Sequence, residues 1–281
     1  MLSLLPQDIT VPKLHQLLLG AVGPRPICFA STVDVQGNRN LAPFSFFNVF
    51  SANPPILVFS PSRSGRTGEH KHTYLNVKEV PEVVVNVVTF DMVQQTSLAS
   101  SPYPKGVDEF VKTGFTPIAS DLVKPARVKE SPVQLECEVQ QVIELGDQGA
   151  AGNLIICKVL KLHLDENILN EHGQIDQKKI DLVARMGGDW YCRAHGDALF
   201  ELVKPLTNCG MGVDALPSYI TEDGYFTGNE LGMLGNVEEV PSESFIEQVR
   251  EEFKAMDPKT AARKLLREGK AREALALLWR N

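Results

Sequence analysis

Between about residue 22 and residue 165 the apolar positions come in short runs rich in β-branched residues: ICFASTV, PILVFS, EVVVNVVT, VQLECEVQQVIEL and NLIICKVLKLHL. Gly, Pro, Asn and Asp stand between them, and runs of that length with such boundaries fit strands better than helices. Within the fourth run, ECEVQQVIEL partly alternates apolar with polar positions, as a strand with one wet face does. Several such strands with irregular joins predict a closed or nearly closed antiparallel β-barrel. The expected class is therefore mainly β, with flanking helices. DVQGNRN (34–40) reads as a hairpin turn, because Gly37 and Asn38 both tolerate positive φ.

Helical patterns are fewer in this stretch. KHTYLNVKEV (71–80) spaces Tyr74, Leu75 and Val77 as a short helix ending before Pro81, and residues 104–114 carry turn or short helical material. Past Leu202 the pattern changes. Residues 205–242 hold six Gly and three Pro and are expected to be rich in loops. Ser244 and Glu247 fit a capping box ahead of Ile246, Val249, Phe253 and Met256, and Asp257-Pro258 opens a further helix. The last stretch breaks at Gly269 into two short amphipathic helices. The organisation expected is a barrel domain over 1–204 and a loop-rich, then helical, C-terminal extension over 205–281.

Hydrophobic residues make up 43% and charged residues 22% of the chain, as in an ordinary globular protein, and the net charge of -7 argues against a nucleic-acid surface. MLSLLPQDITVPKLHQLL has no basic start and is interrupted by Pro6, Asp8 and Pro12, so neither a signal peptide nor a membrane span is expected, and the expected compartment is the cytoplasm. The five cysteines lie far apart without a C-x-x-C pair and read as buried free thiols. His70 and His72, two apart, would share one face of a strand, but no carboxylate or Cys stands nearby at ligand spacing, and no metal site is expected. The chain has no G-x-S-x-G, no H-E-x-x-H and no P-loop, and the GMG at 210–212 lacks the rest of a dinucleotide fingerprint.

Candidate chemistry concentrates in residues 31–76. A nucleotide cofactor needs apolar cover for a flat ring, backbone groups along the ring edge and cationic or hydroxyl donors for a phosphate. STVDVQGNRNLAPFSFFN (31–48) offers the first two, with Pro43 committing the segment to an extended path with free backbone groups. SPSRSGRTGEHKHT (60–73) offers the third through Ser60, Ser62, Arg63, Lys71 and Thr73, and a helix opening near Thr73 adds a favourable dipole. By composition alone, the commoner reading of the Phe-rich stretch is core and of the polar loop a solvated turn.

An ordered series narrows this. PRPICFAST (24–32), G-x-x-N-L-A-P-F-S-F-F-N (37–48), FSPSR (59–63), K-H-T-x-x-N (71–76), VVNVV (84–88) and ARMGGDWYCRAHG (184–196) together resemble the flavin reductase-like family of FMN-binding split barrels. The resemblance implies that Ser31 and Thr32 approach a flavin ring, that Asn40, Leu41, Ala42, Pro43, Ser45 and Asn48 line its edge, and that Ser60, Ser62, Arg63, Lys71 and Thr73 serve the ribityl chain and phosphate. It implies FMN as cofactor, NADH or NADPH as electron donor, and hydride transfer through flavin N5. It also implies a homodimer, with a flavin-dependent monooxygenase as a partner that would consume the reduced flavin. Many relatives have Lys-Asp-Thr where this chain has Lys71-His72-Thr73. Tyr191 and His195 are weaker candidates for a nicotinamide or substrate contact, with packing the commoner role. The alternatives are an FMN-binding electron carrier or flavin store without its own turnover, and a cofactor-free barrel serving as an interaction module.

Overall fold

All five β-branched runs form strands, and two further strands complete a seven-stranded sheet. In chain order they are β1 (Cys28–Val33), β2 (Arg39–Phe44), β3 (Phe47–Ala52), β4 (Pro55–Phe59), β5 (Glu82–Val87), β6 (Val133–Glu144) and β7 (Asn153–Leu164). This computed structural model describes residues 1–280, which divide into two compact units, one spanning Met1–Phe200 and the other beginning at Glu201. Among the described residues no helix is long and apolar enough to cross a membrane.

The strand order is β2-β1-β5-β6-β7-β4-β3, and every neighbouring pair is antiparallel. Consecutive strands β2 and β3 thus sit at opposite ends of the sheet, which curls into a barrel that does not close between them. The sequence reading left the Pro43 segment extended with free backbone groups; instead it is β2, with Pro43 opposite Phe29. Proline is tolerated there because β2 is an end strand, with one side free of ladder bonds. At the turn before it, only Gly37 takes positive φ (+84°), whereas Asn38 donates its backbone N–H and side-chain amide to the Asp34 carboxylate at 2.9 and 2.8 Å.

Inside the barrel pack Cys28, Ala30, Phe59, Val83, Ile155 and Cys157. The other face of β1 and β2 carries Phe29 and Leu41, which pack with Met92, Phe110, Phe115 and Val128. Four helices flank the sheet: α1 (Val11–Ala21), α2 (His72–Glu79), α3 (Val93–Leu98) and α4 (Glu109–Thr113). In α4 the Asp108 side chain accepts from the Phe110 amide and Gly114 closes the helix at φ +75°. All five cysteines are free, but only Cys28, Cys137 and Cys157 are buried; Cys192 is half-buried and Cys209 exposed. Asp121, Glu136 and His163 bring potential ligand atoms within 4.8 Å of one another. The buried Glu136 carboxylate, however, already accepts from the Asp121 and Leu122 amides at 2.9 and 2.6 Å and faces His163 at 2.7 Å, while Lys161 holds Asp121 at 2.5 Å. That cluster is an ion-pair knot joining β6 to β7.

The second unit contains α5 (Ser218–Thr221), α6 (Gly228–Gly235), α7 (Glu243–Glu252), α8 (Pro258–Arg267) and α9 (Ala271–Leu278) around Ile220, Leu234, Ile246, Leu265 and Leu275. Two of these helices, α5 and α6, lie in the segment expected to be loop. The capping box belongs to α6, where Thr227 and Glu230 cap each other; α7 starts after Ser242, without a side-chain cap bond, so Ser244 is already inside the helix. Asp257 caps α8 as expected, accepting from the Thr260 amide at 2.9 Å, and Gly269 separates α8 from α9 at φ +76°.

Asn86, fully buried on β5, donates to the Phe29 carbonyl at 3.0 Å and accepts from the Val128 amide at 2.9 Å. Replacing it by Ala strands both backbone groups, so N86A is expected to lose about 2–3 kcal/mol in urea unfolding. An unchanged midpoint and slope would mean that these bonds add nothing to stability.

Candidate functional site

Two cavities of the first unit meet at the open edge of the barrel. The larger, about 900 Å³, has an apolar side formed by Val11, Pro12 and Leu19 of α1 with Phe44 and Phe46, and a polar side of Ser60, Ser62, Arg63, Ser64, Arg66 and Lys71. Gln148–Ala150 complete it, and among the described residues no carboxylate lines it. The smaller, about 520 Å³, shares Pro43, Phe44, Ser64, Arg66 and Lys71 and adds Asn40, Ala42, Thr73, Tyr103 and Glu109.

Nine of the thirteen residues expected at a cofactor line these cavities: Pro43, Ser45, Ser60, Ser62, Arg63 and Lys71 the larger, and Asn40, Ala42 and Thr73 the smaller, which Pro43 and Lys71 share. The other four do not. Thr32 is buried and serves as an acceptor: the Asn40 side chain donates to it at 3.3 Å and Asn76 at 3.1 Å. Asn40 also donates to Thr73 at 2.9 Å, so this lattice pins the first turn of α2 to β1 and β2. Leu41 is core. Ser31 is fully buried with a hydroxyl that has no partner. Asn48 lies exposed on β3, its side-chain oxygen accepting from the Val49 amide at 2.8 Å.

The polar loop owes its shape to the turn between β6 and β7. The Arg63 amide donates to the Ala151 carbonyl at 2.8 Å, and the Ala150 amide to the Arg63 carbonyl at 3.2 Å. Ser60 accepts from the Asn153 amide at 3.0 Å, and a Cβ at Gly152 would come within 2.8 Å of that hydroxyl, so only glycine lets the two segments touch there. The Glu144 carboxylate accepts from Tyr74 at 2.5 Å and faces Arg63 at 3.5 Å. Burial, then the bond to Glu144, pushes the Tyr74 phenol up to about 12. His70 stacks on Tyr74 with ring centres 3.8 Å apart. His72 is the first residue of α2, so the two histidines do not share a strand face. Both imidazoles are held below their usual range: His70 by burial and then Arg63, His72 by burial and then Lys105 and Lys71. Arg63 retains a buried Nε with no partner.

The sequence reading passed over several of these groups. Arg25 donates to the Leu19 and Met186 carbonyls at 2.7 Å each and to the Val22 carbonyl, fixing the end of α1 beside the cavity. His15 meets Phe46 edge-on at 6.4 Å. Gln148–Ala150 carried only a turn signal, GDQGAAG, and α1 only an apolar pattern. The buried Glu109 accepts from the Leu41 amide at 3.0 Å and so holds β2 from its free side. Tyr191 and His195 line neither cavity: Tyr191 carries the Arg185 guanidinium over its ring at 4.5 Å, and His195 stands 3.5 Å from Asp181.

With this geometry in view, comparison with known proteins is direct. The profile of the Flavin reductase like domain matches residues 21–179. An uncharacterized protein of Aquifex aeolicus is 36% identical over 190 residues, spanning 67% of this chain and 94% of its own. Nitrilotriacetate monooxygenase component B from Bacillus cereus is 32% identical, with 72% of this chain and 98% of its own covered at a TM-score of 0.67. A protein with a split barrel domain from Shewanella frigidimarina is 27% identical, with 70% and 95% covered at a TM-score of 0.60.

Burial pushes the Glu109 carboxyl above its usual range, against the pull of the Leu41 amide. A group whose folded pKa exceeds its unfolded one stabilises most below the unfolded value and loses that contribution as pH rises through the folded value. The stability of the wild type relative to E109Q is therefore expected to be greatest near about pH 4 and to decline toward neutrality, read from urea midpoints across that window. A flat or rising difference would contradict the assigned burial.

Proposed function

The chain belongs to the flavin reductase-like family, a family of flavin-related oxidoreductases, and from that premise we propose that it binds FMN and works as an NAD(P)H:flavin reductase. The observation that carries this reading is the larger cavity. Three cations and three serines face an apolar wall there, and no carboxylate among the described residues opposes an anionic ligand. Such a cavity suits a molecule with a flat apolar ring at one end and a phosphate at the other. The partnerless, buried Nε of Arg63 is a donor that a phosphate or ribityl oxygen would satisfy.

When bound, FMN supplies the two-electron chemistry, accepting a hydride from NADH or NADPH. The chain's own residues do the rest. Arg63, Arg66 and Lys71 neutralise the phosphate, and Ser60, Ser62 and Ser64 add hydroxyl donors. Phe44, Phe46, Val11 and Leu19 keep water from the ring. Pro43, Ser45 and the edge of β2, kept straight by Glu109 and the Thr32–Asn40–Thr73 lattice, orient it. No nucleophile or acid–base pair is needed, because reduction occurs on the cofactor.

We propose a homodimer as the working form, and the apolar surface of the first unit supports this. Val49 and Phe50 on β3 are 63% and 68% exposed, and α1 buries none of its residues. A neighbour that is one component of a monooxygenase supports a flavin-dependent monooxygenase as consumer of the reduced flavin, and a cytoplasmic setting fits that role. In this reading residues 1–204 form the flavin-binding domain and 205–281 an appended extension.

The test is the visible spectrum of the protein titrated with FMN, followed by anaerobic addition of NADH and then NADPH. Expected are flavin binding, bleaching by at least one nicotinamide nucleotide, and at least about tenfold weaker FMN affinity in both R63A and K71A. Bound flavin that neither nucleotide reduces would replace the reductase by a flavin carrier or store. Affinity unchanged in both variants would remove the cavity from the reading.

A further inference from the structure

The second unit carries more acid than base, with fourteen Asp and Glu against ten Lys and Arg between residues 201 and 281. Yet its cavity of about 460 Å³ is lined by Arg250, Lys254, Lys259 and Arg280 and, among the described residues, by no carboxylate. The floor is apolar, formed by Ile220, Phe226, Phe253 and Leu277. Four of the unit's ten cations thus gather around one apolar groove while all of its acids stay off the lining. Lys254 pairs with Glu251, and Lys259 with Asp223. Arg250 donates to the Trp279 carbonyl, and Arg280 lies over the Tyr219 ring at 5.0 Å. A carbonyl and an aromatic face hold these two guanidinium groups in place without cancelling their charge. Met256, 39% exposed, stands at the mouth.

This pattern has the composition of a protein-binding surface. Aromatic residues, Met and Arg are enriched where proteins dock, and Met adapts its shape to an incoming side chain. We propose that the groove docks an acidic amphipathic segment of a partner protein, its apolar side chains on the Ile220–Phe226–Phe253 floor and its carboxylates against Arg250, Lys254 and Arg280. The choice of occupant follows from charge: with Lys254 and Lys259 already paired, a basic or neutral segment would leave Arg250 and Arg280 without an opposing charge. The inference lies wholly within residues 219–280 and does not rest on flavin binding.

The test uses the full chain and a fluorescein-labelled synthetic helical peptide with Leu at positions i, i+3, i+4 and i+7 and Glu elsewhere. Two counterparts carry Gln or Lys in place of every Glu, and binding is read by anisotropy. Expected is saturable binding of the Glu peptide only, weakened by added salt and by at least about tenfold in the K254E/R280E double variant. M256E, which leaves every cation in place, is expected to weaken it as well. Unchanged thermal midpoints in both variants confirm that the fold is retained. Equal binding of the Gln or Lys peptide, no binding of any peptide, or full binding by the double variant overturns the proposal. So does saturation of the groove by dodecanoate, read as a change in tryptophan emission, without binding of the Glu peptide, which would assign the groove to a small amphipathic anion.

Discussion

The first unit is governed by a constraint of connectivity. Strands β2 and β3 are joined only by Ser45 and Phe46, yet they pair at opposite ends of the sheet. Two adjacent strands joined that tightly would ordinarily form a hairpin; here each takes a different neighbour, β1 or β4, and the barrel stays open between them. An open edge leaves backbone groups unpaired, and the structure deals with them locally. Glu109 takes the Leu41 amide from the free side of β2. The cavities lie along this gap. Their position therefore follows from sheet topology before any ligand chemistry is considered.

How much of this was readable from the chain differs by feature. Five strands announced themselves through their β-branched runs: β1 and β5 are buried on both faces and give a continuous apolar signal, and β6 and β7 keep one wetter face and alternate in part. Strands β2 and β3 did not. At the ends of a sheet they carry Arg39, Asn40, Pro43, Asn48 and Ser51, and β3 is largely exposed, so neither alternation nor β-branching marks them. The helix ends show a similar limit. Asp257-Pro258 was decisive because a cap and a helix-starting proline coincide, whereas Ser242 and Ser244 are equivalent by residue type and only the backbone separates them.

The candidate site divides along the same line. The loop from Ser60 to Lys71 stood out because its donors fall within twelve residues. What gives that loop its shape comes from far along the chain: Ala150 and Ala151 across from Arg63, and Asn153 on Ser60 and Pro61. The same long-range packing decides the residues that face inward. Thr32 belongs to a motif with a strong family resemblance, but it lines neither cavity, and two amide side chains donate to its hydroxyl. A motif reports that a segment builds a site. The strand register decides which of its residues reach the cavity.

The distribution of charge links this geometry to chemistry. The chain is acidic overall, so an acid-free, three-cation wall in the larger cavity is not the average of its surroundings. A cluster of like charges raises the energy of the empty state, which an anion would relieve on binding. Glu144 moderates this by facing Arg63 at the outer side of the loop, where it also fixes Tyr74. The lowered affinity of His70 and His72 for protons comes first from burial and then from the fixed cations beside each. Neutral imidazoles add hydrogen-bonding capacity without further repulsion. In the proposed reading, His72 stands where the family resemblance leads one to expect Asp, without setting a carboxylate against an anion held by Lys71 and Arg63.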